Sequence, residues 1–497
     1  IVLHLFVFKS HEFTTIIVLS HVPYRLMSNS PSKELATELR DNFPHTPTPG
    51  QDRLIDAFSK FLVSEKPKCT LIIKGYAGTG KTTSIGAIVR TLKANRTSYV
   101  LLAPTGRAAK VMSSYSGVGA STIHRRIYVG SNSKDGSASY KLGVNRLKNT
   151  VFIVDEASMI GESGGLLDDL MSYVFSSKHC RLVLVGDTAQ LPPVGCADSP
   201  ALSLSNMRAT YDLTVASIEL TEVVRQELDS SILANAHALR LCIDDKSKHN
   251  AFPKIDLSVG PDIKIVPGEE LQEIIETLHA KHGEENVVII TRSNKRAVLF
   301  NQQVRTRILW QEDDINAGDK LMVVRNNYYW LRDHDDLPID LIANGDTLEV
   351  VRIGSRFTRY GHEFAEVDVL LSDFPDHPSI TVTIMLSVLN DPRPSLGSVD
   401  SKAFYHAIAS DYSDVGTKSK IHRAVVADSC YQALQVKFAY SLTCHKAQGG
   451  QWPAVILDQG YLTEEMIDRE WLRWLYTGFT RAESELYLLN FHDKFFA

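Results

Sequence analysis

Paired cysteines are missing from this sequence. Its six cysteines (Cys69, Cys180, Cys196, Cys242, Cys430 and Cys444) are scattered, with no CxxC pair and no Cys/His cluster at zinc spacing. That excludes a disulfide scaffold and a structural zinc site, and it points to a reducing compartment, expected to be the cytoplasm. A strong charge excess is missing too: 53 Lys and Arg against 58 Asp and Glu leave a net charge of -5. Any nucleic-acid contact therefore has to be a local groove of Lys, Arg and aromatic side chains rather than a global basic field. No apolar run reaches the roughly 18 residues that a membrane span requires, so no membrane partner is expected. The opening stretch, "IVLHLFVFKSHEFTTIIVLSHVPYRL" (1–26), holds two apolar runs broken by Lys9, His11 and Glu12, with no basic segment ahead of the first. Met27 then opens a polar start with a helix behind it, so residues 1–26 are expected to be a non-native or disordered leader outside the functional fold.

At 497 residues the chain is too long for one core, and 44% hydrophobic with 22% charged residues is an ordinary globular balance. From about residue 45, "TLIIK", "SYVLLAP", "VFIVDE" and "RLVLVGD" alternate with helical stretches. Continuous apolar runs of this kind belong to strands buried on both faces of a parallel sheet, the pattern of a doubly wound α/β domain. A second set follows in "NVVIITRS" (286–293), "VKFAYSLT" (436–443), "AVILDQG" (454–460) and "ELYLLNF" (485–491). Each layer is interrupted. Residues 128–149, rich in Ser, Gly, Asn and Lys, read as a hairpin excursion carrying Tyr128 and Tyr140. Between about 315 and 430, four runs alternating with period two around turn signals such as "NGD" predict a small inserted β-barrel, followed by helical segments between 398 and 428.

The stretch "GYAGTGKTTS" (75–84) follows an apolar strand and opens a helix. Gly75, Ala77, Gly78, Thr79, Gly80, Lys81, Thr82 and Thr83 form a loop whose backbone N–H groups turn onto phosphate oxygens. Lys81 reaches the β- and γ-phosphates, and the Thr82 hydroxyl ligates Mg²⁺. "VFIVDEAS" ends a strand on Asp155 and Glu156: the first can hold Mg²⁺ through water, the second can orient and deprotonate the attacking water. "LVLVGDTAQLPPVG" delivers Asp187 and Gln190 to a strand end, where an amide can sense the γ-phosphate, and Pro192-Pro193 stiffens the exit. ATP and Mg²⁺ are the cofactors this set requires.

These motifs, with "APTGRAA" (103–109), "STIHR" (121–125), "LTEVVRQ" (220–226), "TCHKAQGGQW" (443–452) and "YTGFTRAESELY" (476–487), resemble in order those of superfamily 1B helicases of the RecD/Dda-like family, with Pif1-type helicases as near relatives. The resemblance runs from about Thr48 to Phe491. It implies an α/β fold of two RecA-like P-loop NTPase domains, with a hairpin insertion in the first and an SH3-like β-barrel insertion in the second. The expected boundaries are 27–230 for the first motor domain, with its insertion at about 128–149, 231–314 with 431–497 for the second, and 315–430 for the barrel insertion. It also implies that Gln51 reads adenine, and that Arg225 and Arg481 reach the γ-phosphate. Pro104, Thr105, Arg107, Thr122, His124, Pro192, Thr443, His445 and Lys446 are implied to line the nucleic-acid track. Gln451, where relatives often carry an acid, and Gly478-Phe479 depart from the pattern. Tyr328, Tyr329 and Trp330 could stack on bases, although aromatics beside a β-barrel more often pack its core or hinge.

A site drawing Lys81, Glu156 and Gln190 from one layer and Arg481 from the other completes itself only when the layers close. The activity expected is an ATP-dependent DNA helicase moving along single-stranded DNA, with 5′ to 3′ polarity implied by the resemblance, and opening forks as a monomer. Two alternatives accord with the same residues: a DNA-stimulated ATPase switch that remodels protein–DNA complexes, and a helicase-like subunit of an exonuclease complex. RNA is an open alternative as the track.

Overall fold

The structure, a computed structural model, describes residues 31–132, 138–161, 164–223, 230–334, 337, 339 and 341–496, with side chains left out at 130–132 and 138–140. The expected leader, 1–26, and Arg225 lie outside the described residues.

The four apolar runs of the first layer become the centre of a six-stranded, wholly parallel sheet. Its order is Ser121–Thr122, Ser98–Ala103, Thr150–Val154, Arg181–Gly186, Cys69–Gly75, Thr214–Leu220. Every residue of Thr150–Val154 is buried, as a strand covered on both faces requires. The second layer is a five-stranded parallel sheet in the order Ser441–Thr443, Val287–Thr291, Trp452–Asp458, Ala482–Leu489, Ile263–Val266. An α/β architecture of two parallel-sheet lobes is thus observed. In the first lobe the phosphate loop, Asp155 and Asp187 follow the carboxyl ends of their strands, where a doubly wound sheet leaves a crevice; in the second, Thr443 ends its strand whereas Arg481 stands just before the strand Ala482–Leu489.

Into the second lobe is threaded an antiparallel sheet in the order Ile380–Met385, His362–Leu371, Thr347–Arg359, Lys320–Val323, Val436–Phe438. Its edges meet where Leu434 bridges Ile384, and Leu321, Val350, Val367, Ile384 and Val436 fill the interior. Helices Ser398–Asp411 and Lys418–Ala427 seal one end through Phe404, Ile408 and Val425 against Phe364.

The run "VKFAYSLT", which reads as one strand, is divided. Val436–Phe438 pairs with Lys320–Val323 in the insertion, whereas Ser441–Thr443 pairs with Val287–Thr291 in the motor sheet. Tyr440 explains the break: its phenol donates to Asp319 Oδ1 at 3.2 Å and accepts from the Lys320 amide at 3.1 Å, pinning the chain between the two sheets. The excursion in the first lobe is an antiparallel hairpin, Tyr128–Asn132 with Ala138–Leu142, whose tip at 133–137 is outside the described residues. Among the described residues, no helix is long and apolar enough to cross a membrane.

Candidate functional site

The strand Cys69–Gly75 hands the chain to helix Lys81–Ala94 through the glycine-rich loop, with Gly78 and Gly80 at φ 73° and 76°. Those positive angles favour glycine and turn the backbone amides inward. Gly75 has a second reason to be glycine, because a Cβ there would lie 2.7 Å from Thr79 Oγ1. Lys81 Nζ donates to the carbonyls of Gly75 and Tyr76, both at 2.8 Å, and lies 3.9 Å from Asp187 Oδ2. Thr79 is tied back to the Tyr76 carbonyl, while Thr82 is exposed and Thr83 half-buried at the helix mouth.

Asp155 and Glu156 stand where Thr150–Val154 ends. Glu156 holds a left-handed backbone at φ 51°, costly for a side chain with a Cβ and the kind of strain that clusters at functional turns. Removal from water raises both carboxyls above the usual range. Against burial, the Tyr115 hydroxyl bond lowers Asp155, and the charge of Arg481 lowers Glu156. Tyr115 Oη donates to Asp155 Oδ2 at 2.6 Å, and the Glu156 amide donates to Oδ1 at 2.8 Å.

The second lobe enters through helix Arg469–Phe479. Tyr476 Oη donates to Asp187 Oδ2 at 2.6 Å and accepts from the Ala77 amide at 2.8 Å, so one buried phenol joins the phosphate loop, the strand-end aspartate and the other lobe. Thr477 Oγ1 accepts from the Leu191 amide, and Arg473 donates to Thr188 O, Ala197 O and Asp198. Arg481 is buried and donates to Thr477 O, Gly450 O and Thr480 Oγ1, each at 3.1 Å. Lys81, Asp155, Glu156, Asp187 and Arg481 are therefore gathered at one lobe boundary.

The residues fit a nucleotide. Gln51 closes a capping box with Thr48 through Oε1 and its amide, which leaves Nε2 buried without a partner. Gln190 likewise has a buried, unpartnered Oε1. Orphaned buried polar atoms on a glutamine are costly and mark places where a ligand would complete the bonding. Thr82 and Asp155 supply the hydroxyl and carboxylate oxygens that a hard cation prefers.

The expected track residues are met by an unforeseen neighbour. Thr105 caps helix Gly106–Ser116, and Thr122 caps Ile123–Ile127, each accepting a backbone amide. Over the first cap sits the insertion's turn Asn344-Gly345-Asp346. Asp346 Oδ1 and Asp373 Oδ2 crowd the space where a Gly106 Cβ would be, Gly345 lies against Thr105, and Asn344 Oδ1 accepts from Lys446 Nζ at 2.6 Å. Arg125 donates to Asp346 Oδ2 at 2.7 Å. Burial pushes the Asp346 carboxyl up to about 6, while Arg125 opposes that rise. Arg107 is turned onto the Trp452 ring, 4.3 Å from its centre, in the contact between lobes. His124, His445, Pro104 and Pro192 are half-buried and Thr443 is buried, with burial lowering both imidazoles. Tyr329 and Trp330 pack inside the insertion, donating to Ala427 O and Gln432 O.

Tyr476, Tyr115 and Asp346 were missed by the sequence reading. Tyr476 lies in a quoted motif, five residues before Arg481, and Asp346 closes the "NGD" turn signal, which marks a turn but not its neighbours; Tyr115 carries no such signal.

Residues 48–248 match the AAA domain family, and residues 438–489 match the UvrD-like helicase C-terminal domain. The ATP-dependent RecD2 DNA helicase of Deinococcus radiodurans is 34% identical over 172 residues, 34% of this chain and 21% of that protein. The ATP-dependent DNA helicase dda of Enterobacteria phage T4 is 32% identical over 181 residues, 36% of this chain and 39% of that protein. The chain thus spans about a fifth and two fifths of those relatives. Among solved structures, a Pif1 helicase from Bacteroides in complex with ADP-AlF3 and single-stranded DNA overlays with a TM-score of 0.46 and 13% identity, covering 91% of this chain and 95% of that one.

Proposed function

We propose that this chain is an ATP-dependent DNA helicase of the RecD/Dda-like group of superfamily 1B, a reading its matched domains and relatives support. It couples hydrolysis to movement along single-stranded DNA, 5′ to 3′, and to strand separation at forks. The observation that carries this reading is the Tyr476 bridge: the phosphate loop and Asp187 of one lobe are bonded to a helix of the other, beside Lys81 and Glu156. Nucleotide chemistry and lobe spacing are therefore one mechanical event.

In this proposal Lys81 leaves the Gly75 and Tyr76 carbonyls to meet the β- and γ-phosphates. Gln51 Nε2 reads the adenine edge, and Gln190 senses the γ-phosphate. Glu156 orients and deprotonates the attacking water, and Arg481 advances from its cradle of carbonyls as the lobes close, joined by Arg225. Thr82 and Asp155 would hold Mg²⁺, which when bound neutralises charge on the phosphate oxygens. Pro104, Thr105, Arg107, Thr122, His124, Pro192, Thr443, His445 and Lys446 contact the strand alternately from the two lobes. The motor domains are assigned to 27–230 and to 231–314 with 431–497. The insertion at 315–430 is assigned as an SH3-like barrel, and the strand Val436–Phe438 completes its sheet beyond that boundary. Both arginines come from the same chain, so the motor acts as a monomer, and the six free thiols accord with the cytoplasm.

The test is steady-state ATP hydrolysis with and without single-stranded DNA or matched RNA, on wild type and Glu156→Gln, followed by unwinding of forks with a 5′ or a 3′ tail. Strong DNA stimulation, a fall of about 10²–10⁴-fold in the mutant and opening of the 5′-tailed fork alone are expected. Stimulation without unwinding would leave the remodelling switch, and no response to any nucleic acid would sink the helicase reading.

A further inference from the structure

We infer that Tyr115 is a positioning residue for the Mg²⁺ site, linking the start of the nucleic-acid track to the Asp155 carboxylate along one helix. The inference rests on the helicase reading for the identity of the track.

Helix Gly106–Ser116 begins at Thr105, in the expected track, and its eleven residues span about 16 Å. Near its far end, Tyr115 Oη donates to Asp155 Oδ2 at 2.6 Å. The other carboxylate oxygen takes the Glu156 amide, so Asp155 is fixed from both sides and the phenol supplies its only side-chain donor among the described residues. The same helix lies on the phosphate-loop helix: a Cβ at Gly86 would be 3.8 Å from the Tyr115 carbonyl. Tyr115 also walls a cavity of about 380 Å³ shared with Thr82, Thr83, Gly86 and Arg90. Tyr115 therefore bonds one oxygen donor assigned to Mg²⁺ and shares a cavity wall with the other.

Helix Gly106–Ser116 runs unbroken from its Thr105 cap past Tyr115, so a displacement at Thr105 is carried to the phenol. A strand seated at Thr105 and a cation seated between Thr82 and Asp155 then bias one another, and such coupling is reciprocal by thermodynamic necessity. A purely structural tyrosine would fill the space between two helices and transmit nothing.

The experiment follows binding of a fluorescent N-methylanthraniloyl-ADP while Mg²⁺ is titrated, with and without a thymidine oligonucleotide, on wild type and Tyr115→Phe. Thermal melting monitors the fold, which the retained ring preserves. In wild type the oligonucleotide lowers the Mg²⁺ half-saturation point. In Tyr115→Phe that point rises about tenfold and the oligonucleotide no longer moves it, while nucleotide binding without Mg²⁺ is unchanged. Wild-type Mg²⁺ dependence in the variant overturns the inference, as does an equal effect of Tyr115→Phe in an Asp155→Asn background, which would place its action elsewhere. A wild type whose Mg²⁺ dependence and hydrolysis both ignore the oligonucleotide refutes the helicase reading instead, and the Mg²⁺ shift in Tyr115→Phe still decides the role of the phenol.

Discussion

One buried phenol and one lysine show what single side chains contribute. Removing the Tyr476 hydroxyl strands Asp187 Oδ2 and the Ala77 amide in a dry interior, at about 1–3 kcal/mol. Tyr476→Phe is expected to lower nucleotide-free stability by that amount in denaturant melts and to slow ATP turnover in steady-state assays. Lys446 answers to pH. Burial brings its ammonium down to about 8 from 10.5, so the folded chain sheds this proton first. Its contribution to stability rises between about pH 8 and 10.5, while the cation at this proposed track residue is lost as the pH passes about 8. Affinity for single-stranded DNA is therefore expected to fall through pH 8 in wild type and not in Lys446→Gln, as measured by fluorescence anisotropy at fixed salt. Residues of the phosphate loop were legible in the sequence because their chemistry is local: glycines, a lysine and a threonine on ten consecutive positions do the work. Tyr476 on Asp187 pairs residues 289 apart, and no local pattern announces such a contact.

Helix Arg469–Phe479 is the element on which both lobes depend. It packs so tightly on the strand Trp452–Asp458 that a Cβ on Gly478 would come within 2.7 Å of Leu457 Cδ1. Gly478→Ala forces that buried leucine aside and lifts the helix, at about 1–3 kcal/mol. Because the same helix carries Arg473, Tyr476 and Thr477 into the 187–198 loop, the loss of melting temperature is expected to come with a fall in ATPase activity larger than the population unfolded explains. Central strands were readable as unbroken apolar runs, since both of their faces are covered. The edge strands Thr214–Leu220 and Ile263–Val266 escaped the reading: Glu219 and Lys264 break their apolar pattern on faces that edges leave wet. "VKFAYSLT" misled because each half is equally strand-like, and only the Tyr440 anchor to Asp319 divides them.

At the scale of the whole molecule, the lobes meet in a boundary already bonded through Arg473, Tyr476 and Thr477, so a nucleotide adds to an interface rather than creating one. Saturating ADP with Mg²⁺ at about 100 times its dissociation constant is expected to raise stability by about 2.7 kcal/mol, read as a shift in the melting curve that Lys81→Ala abolishes. The two-lobed plan was legible because alternation of strand and helix dictates it. The relation of the insertion to the track was not, because the Asn344-Gly345-Asp346 turn meets Thr105, Arg125 and Lys446 only through the fold. That turn lies over Thr105 and Lys446, residues proposed for the track, and a cover distinguishes ends from sides. Once the turn loosens its contacts with Thr105 and Lys446, a linear strand threads past it by its terminus in this proposal, whereas a covalently closed circle has no terminus to offer and has to wait for the turn to lift clear. Stopped-flow association is expected to be slower on closed circles than on linear strands of equal length, and Asp346→Asn, by loosening the hold of Arg125, is expected to narrow that gap.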